Sequence, residues 1–271
     1  MTETRIGKDR PTTIDYLPLI NSPLPERVHL GDGVLLFEPV DPITVAEDGR
    51  TAQFPAYTCL FRSNEGEQSD LSSPIAKFPD FRIRYVGSQD SLFTIPQHLI
   101  ADPSFHVIGF DSRQLFFSKY GLVHEQGHAF LNRNRLSLRL LQAAHSGKYE
   151  SLPNYPNIGR YCDAVAEIPG IRAIQYPQTE HDIDVMFEKN SEIRKGLLLF
   201  EERYAWGVGL AMSTLYPGYV RDWLNVAGLE AAAIALVSYA RDNEDIRFND
   251  GFSKEDSIGN LAYFFAQEFQ G

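Results

Sequence analysis

The sequence predicts an α+β fold in which a β-rich N-terminal region, residues 26–111, packs against a helical region, residues 112–271, after a tail of residues 1–25. Three observations predict it. Apolar or alternating runs of strand length fill the first region, apolar residues recur with helical periodicity in the second, and the two patterns are segregated rather than interleaved along the chain. At 271 residues and 43% hydrophobic, the chain can bury the core of one large or two modest globular units.

In chain order, Val28-His29-Leu30 and Val34-Leu35-Leu36-Phe37 flank the turn pair Asp32-Gly33 and predict a β-hairpin. Residues 57–61, 81–86, 92–95 and 105–110 follow as further strands. The polar stretch 63–70 between them is expected to be a solvated loop, with a flap as the alternative role. Helices are expected over 112–132, 136–145, 180–188, 192–215, 229–240 and 254–269, with Pro153, Pro156, Pro169 and Pro177 interrupting the middle. Ala231, Ala232, Ala233 and Ala235 mark the fifth of these as a closely packed scaffold helix.

Composition excludes several classes. A net charge of −11 and a pI near 5.1 argue against nucleic acid or an anionic membrane surface as partner, because both need a basic face. No apolar run approaches the length of a membrane span, and the first ten residues are polar, without the apolar stretch of an export signal. Cys59 and Cys162, the only cysteines, are expected as free thiols in a reducing, cytoplasmic setting. Nothing in the sequence speaks to oligomeric state.

The chemistry is concentrated in His124-Glu125-Gln126-Gly127-His128, a complete HExxH. On a helix, residues four apart share a face, so the two imidazoles can hold one Zn2+ ion while Glu125, rotated by about 100°, reaches a metal-bound water. The surrounding run is helical in pattern: Phe116, Tyr120, Val123, Gly127 and Phe130 form one apolar side, Phe117 and Leu131 share the stripe of the histidines, and Asp111 is placed to cap the helix. Gly127 is costly inside a helix, by about 0.8–1 kcal/mol relative to alanine, and a close-packed partner helix would explain it. The plain alternative is a core helix whose histidines bond to backbone carbonyls.

Catalytic zinc takes a third protein ligand. The metzincin continuation fails, since Leu131 and Asn134 stand where it requires glycine and histidine. Residues 197–210 offer instead a strongly apolar helix interrupted by Glu201 and Glu202. Glu202 shares its face with Leu198, Leu199, Ala205, Trp206 and Gly209, and a carboxylate withdrawn from water there needs a cation. Glu201 has an apolar setting of Leu197, Leu198, Ala205 and Val208, and helical geometry leaves it open as well.

HEQGH followed by E-x-x-A on a later helix resembles the gluzincin metallopeptidases, including the ImmA/IrrE-like and related minimal zinc peptidases. The resemblance covers about a third of the chain, from about residue 112 to 215. It implies a zincin-like catalytic part, Zn2+ held by His124, His128 and Glu202, and Glu125 as the general base of a peptidase acting on peptide or protein. Two departures stand out. Trp206 occupies the place where many gluzincins carry an aspartate that orients a zinc-bound histidine, and the long interval from His128 to Glu202 is expected to add a helix and loops around the cleft. Trp206 and the open choice of third ligand between Glu202 and Glu201 support the alternative of a non-catalytic regulatory or interaction protein on a peptidase scaffold, with zinc structural or absent. Tyr204, Tyr176, Tyr216, His145 and His181 are chemically able to stabilise an oxyanion, with no choice among them.

Overall fold

In the computed structural model, residues 19, 21–47, 50–89, 92–111, 115–168, 170–173, 175–189, 191–216, 232–233, 235–236 and 258–270 are described. A mixed sheet occupies the N-terminal half and helices the C-terminal part, the α+β order expected from the sequence. The strands are β1 (Arg27–Leu30), β2 (Gly33–Glu47), β3 (Arg50–Ser63), β4 (Gln68–Asp70), β5 (Ile83–Gly87), β6 (Phe93–Thr94) and β7 (His106–Phe110). Their order is β1-β2-β3-β5-β7-β6, with β4 also paired to β3, and only β5 and β7 run parallel.

The first hairpin forms, but one residue earlier than its turn pair suggests: Leu30 pairs with Gly33, so Gly31 and Asp32 make the loop. Gly33 belongs to β2, where a side chain would strike the Arg62 carbonyl at 2.3 Å. β2 also runs past residue 40, through a register shift between Val40 and Ile43 that accommodates Asp41 and Pro42. Within residues 63–70, 64–66 form the exposed turn expected of a solvated loop, closed between Ser63 and Glu67, while 68–70 form β4 and pair back on β3.

Both faces of the sheet are covered, which is why β5 and β7 read as nearly continuous apolar runs. Alternation along these strands sends Ile83, Tyr85, Ile108 and Phe110 into the main core beneath the helices. Val86 and Val107 join Ile43, Val45, Phe54, Ile95 and Leu99 on the opposite face. Leu19 bridges to Ser88 and Leu24 is buried, so the described end of the 1–25 stretch is packed against the sheet.

The helices are α1 (Leu115–Arg133), α2 (Leu136–Ser146), α3 (Ile158–Ala166), α4 (Glu180–Lys189), α5 (Ser191–Ser213) and α6 (Ile258–Gln270). α1 lies against β6 and β7, α5 packs on α1, and α6 packs on α5. α2 ends at Gly147, whose φ of 68° is the left-handed conformation that glycine adopts without strain. α2, α3 and α4, with the turns between them, fill the interval between the two sequence motifs. The segment 229–240 lies largely outside the described residues, as do residues 112–114, where a cap from Asp111 would act, and the side chains of Phe116, Phe117 and Tyr120. Cys59 and Cys162 are buried free thiols. Among the described residues no helix is long and apolar enough to cross a membrane.

Candidate metal centre

α1 follows directly on the buried strand β7 and carries His124, Glu125 and His128 past the edge strand β6. α5 crosses it at the motif. A Cβ on Gly127 would lie 2.0 Å from the Ala205 carbonyl oxygen, and one on Gly209 would lie 2.3 Å from that of Val123. Two glycines, one on each helix, therefore let the backbones touch on either side of His124, and this close approach supplies the packing reason for Gly127. It also sets Glu202, three residues before Ala205, opposite the two imidazoles.

The contacts converge. His124 Nε2 lies 3.0 Å from Glu202 Oε2, His128 Nε2 lies 3.5 Å from Glu202 Oε1, and the two Nε2 atoms are 3.2 Å apart. Donors about 2.0–2.2 Å from one tetrahedral ion stand about 3.3–3.6 Å from each other, so the trio fits a shared cation with small adjustments. The 3.0 Å approach is not aligned as a hydrogen bond, and among the described residues Glu202 Oε2 has no hydrogen-bond partner despite its burial. A buried His124, His128 and Glu202 group of this kind can hold a metal ion. Glu201 lines the adjoining cleft without joining the group, so Glu202 is the carboxylate that meets the histidines.

Charge follows the same geometry. Burial pushes the Glu202 carboxyl up, but the two imidazoles against it more than offset this and hold it down at about 2. Burial disfavours the His128 imidazolium, while Glu202, with Glu125 and Glu201 farther off, raises it to about 9. The site is built to keep a carboxylate ionised beside positive charge, and a bound cation would replace the proton on His128.

Glu125 stands beside the group in a cleft of about 410 Å³. Its Oε2 and its backbone carbonyl lie 2.9 and 2.8 Å from the Thr94 hydroxyl of β6, which has one proton to give to either. The apolar wall is made by Leu92, Phe93, Pro96, Leu136, Leu138 and Ile183. Arg135 and Glu180, paired at 2.6 and 2.9 Å, close one side.

The other motif residue faces away. Gln126 is fully buried, donates to the Leu71 carbonyl and the Tyr85 hydroxyl at 3.0 Å each, and accepts from Tyr216 at 2.8 Å. This polar knot ties α1 to the sheet and to the end of α5. It engages Tyr216 away from the cleft, and Tyr204 is likewise turned to the Pro156 carbonyl in the core. Tyr176 packs edge-on against His145, and neither lines the cleft. His181 stands exposed near His98, with ring centroids 5.8 Å apart, and His98 is the one that reaches the cleft. The five proposed oxyanion donors are therefore not brought to the metal centre.

Thr94, His98 and the Gln126 network are not evident from the motif. Thr94 acts from a two-residue strand thirty-one positions earlier, and nothing local signals it. Gln126 did carry a signal: an amide on the sheet-facing side of a helix with apolar neighbours must find buried partners. No family model, no curated protein and no solved structure matches the chain.

Proposed function

We propose that the protein is a zinc-dependent peptidase of the gluzincin type, cutting a peptide or protein substrate in the cleft between β6, α1 and α4. One observation carries this reading: His124 and His128 of α1 converge with Glu202 of α5, and Glu125 sits beside them facing an open cleft. Two imidazoles and one carboxylate suit zinc, leaving a coordination position for water. When bound, zinc lowers the pKa of its water towards about 7 and polarises the scissile carbonyl.

The chain's own groups supply the rest. Glu125 accepts the proton of the attacking water and returns it to the departing amine. Thr94 holds the Glu125 carboxylate at the cleft side of the helix. β6 ends the sheet, and Phe93 and Thr94 line the cleft, so an extended substrate can add alongside this edge by backbone hydrogen bonds. The buried free thiols support a cytoplasmic setting.

The test is metal analysis joined to mutation. Zinc-loaded protein should hold one ion and cleave an unstructured protein such as casein. Glu125→Gln should keep the ion while cleavage falls by about 10²-fold or more. Failure to take up metal after loading would leave a non-catalytic scaffold, and undiminished cleavage by Glu125→Gln would overturn the assigned role.

A further inference from the structure

Trp206 lies one turn beyond Glu202 on α5 and is 5% exposed. Its indole stacks on His124 with ring centroids 4.4 Å apart and planes inclined by 25°. His128 meets the same imidazole edge-on, at 4.6 Å and 80°. His124 is thus clasped between a flat ring on one side and its fellow histidine on the other.

A metal-binding histidine usually has its orientation set through its second nitrogen, which donates to a carboxylate or a backbone carbonyl. His124 Nδ1 is buried, and among the described residues no protein group accepts from it. The indole Nε1 of Trp206 is also buried, and among the described residues it has no hydrogen-bond partner. Among the described residues the stack is the face-on contact of His124, and it sets the plane of the imidazole.

Building on the metal reading above, we propose that Trp206 is a positioning residue: by stacking it aims His124 Nε2 at the shared metal point, so that zinc affinity depends on a flat aromatic ring at position 206. Removing the ring while keeping apolar volume frees rotation of the imidazole about its own axis. Replacing it with another flat ring does not.

The experiment compares wild type with Trp206→Phe, Trp206→Leu and Trp206→Met. Zinc affinity is measured by competition with a chromophoric chelator, and the His124 ring protons are followed by NMR in metal-free protein. Wild type and Trp206→Phe should show His124 protons shifted upfield by the adjacent ring and should bind zinc within about threefold of each other. Trp206→Leu and Trp206→Met, checked for cooperative unfolding, should lose the upfield shift and bind zinc about 10–100-fold more weakly, the range typical of lost outer contacts. A folded Leu or Met variant that binds zinc as tightly as wild type overturns the proposal, as does a wild type without the upfield shift. A wild type that shows the shift but takes up no zinc instead refutes the metal reading itself, and the two failures are told apart by the proton spectrum.

Discussion

Ala205 of α5 rests its carbonyl oxygen against the α-carbon of Gly127 in α1, between the two histidines of the motif, with no space for a side chain. Because both atoms belong to helix backbones, neither can swing aside. Gly127→Ala gains about 1 kcal/mol of helix propensity, yet its new methyl group would sit 2.0 Å from that oxygen and force the helices apart. Overpacking of this kind costs about 1–3 kcal/mol, occasionally more, so the net change should be destabilising. Glu202 rides on the displaced helix, so zinc affinity should fall in the same variant. Urea unfolding with parallel metal titration checks both, and a Gly127→Ala protein as stable as wild type would contradict the packing account.

The choice between the adjacent carboxylates is testable by charge removal alone. Glu202→Gln keeps the shape of the side chain but withdraws the charge facing His124 and His128, and bound zinc should be lost. Glu201→Gln changes a residue that lines the cleft outside the trio, and one zinc should remain. Metal content after dialysis distinguishes them; zinc lost from Glu201→Gln and kept by Glu202→Gln would reverse the assignment.

The helix, Gly127 and both histidines follow from spacing within α1, and the Glu201–Glu202 pair from charge set in an apolar helix; each signal is local. Choosing Glu202 over Glu201 needed the angle at which α5 crosses α1, which single-helix periodicity does not contain. The strands were legible where alternation or full burial marks them, as in β5 and β7. The continuation of β2 past Pro42 was not, because proline normally ends a strand and only a bulge at that point makes it tolerable. Residues that act across the sheet, such as Thr94 on Glu125 and Tyr85 on Gln126, depend on pairings between distant segments.

Thr94 offers a finer test of the cleft. Thr94→Val preserves volume and deletes the hydroxyl that bonds Glu125, while Thr94→Ser retains it. Hydrogen bonds to charged groups contribute about 1.5–3 kcal/mol, and partial loss of carboxylate orientation should lower kcat about tenfold in the valine variant. Zinc content should not change, because Thr94 touches none of the three donors. Serine should restore most of the rate. A valine variant with full kcat would show that the Glu125 carboxylate is held by its helix alone.

Stability should respond to acid through His106, which is not one of the three candidate metal ligands. His106 is buried at the start of β7 beside Phe81, and among the described residues its Nδ1 has no hydrogen-bond partner. Burial, reinforced by the Arg133 charge and only partly countered by Asp80, lowers its pKa from 6.5 to about 4. Between those values the unfolded chain binds a proton that the folded protein refuses, so the His106 contribution to stability is full above pH 6.5 and is lost as pH drops towards 4. Each pH unit below 6.5 should cost about 1.4 kcal/mol once the unfolded histidine is protonated, approaching about 3 kcal/mol in all. His106→Gln removes the titration, so its stability should decline less steeply than that of wild type from pH 6.5 to 4.5. Denaturant unfolding of both proteins across that range measures the difference, and parallel curves would mean that His106 accepts its proton without loss of the fold.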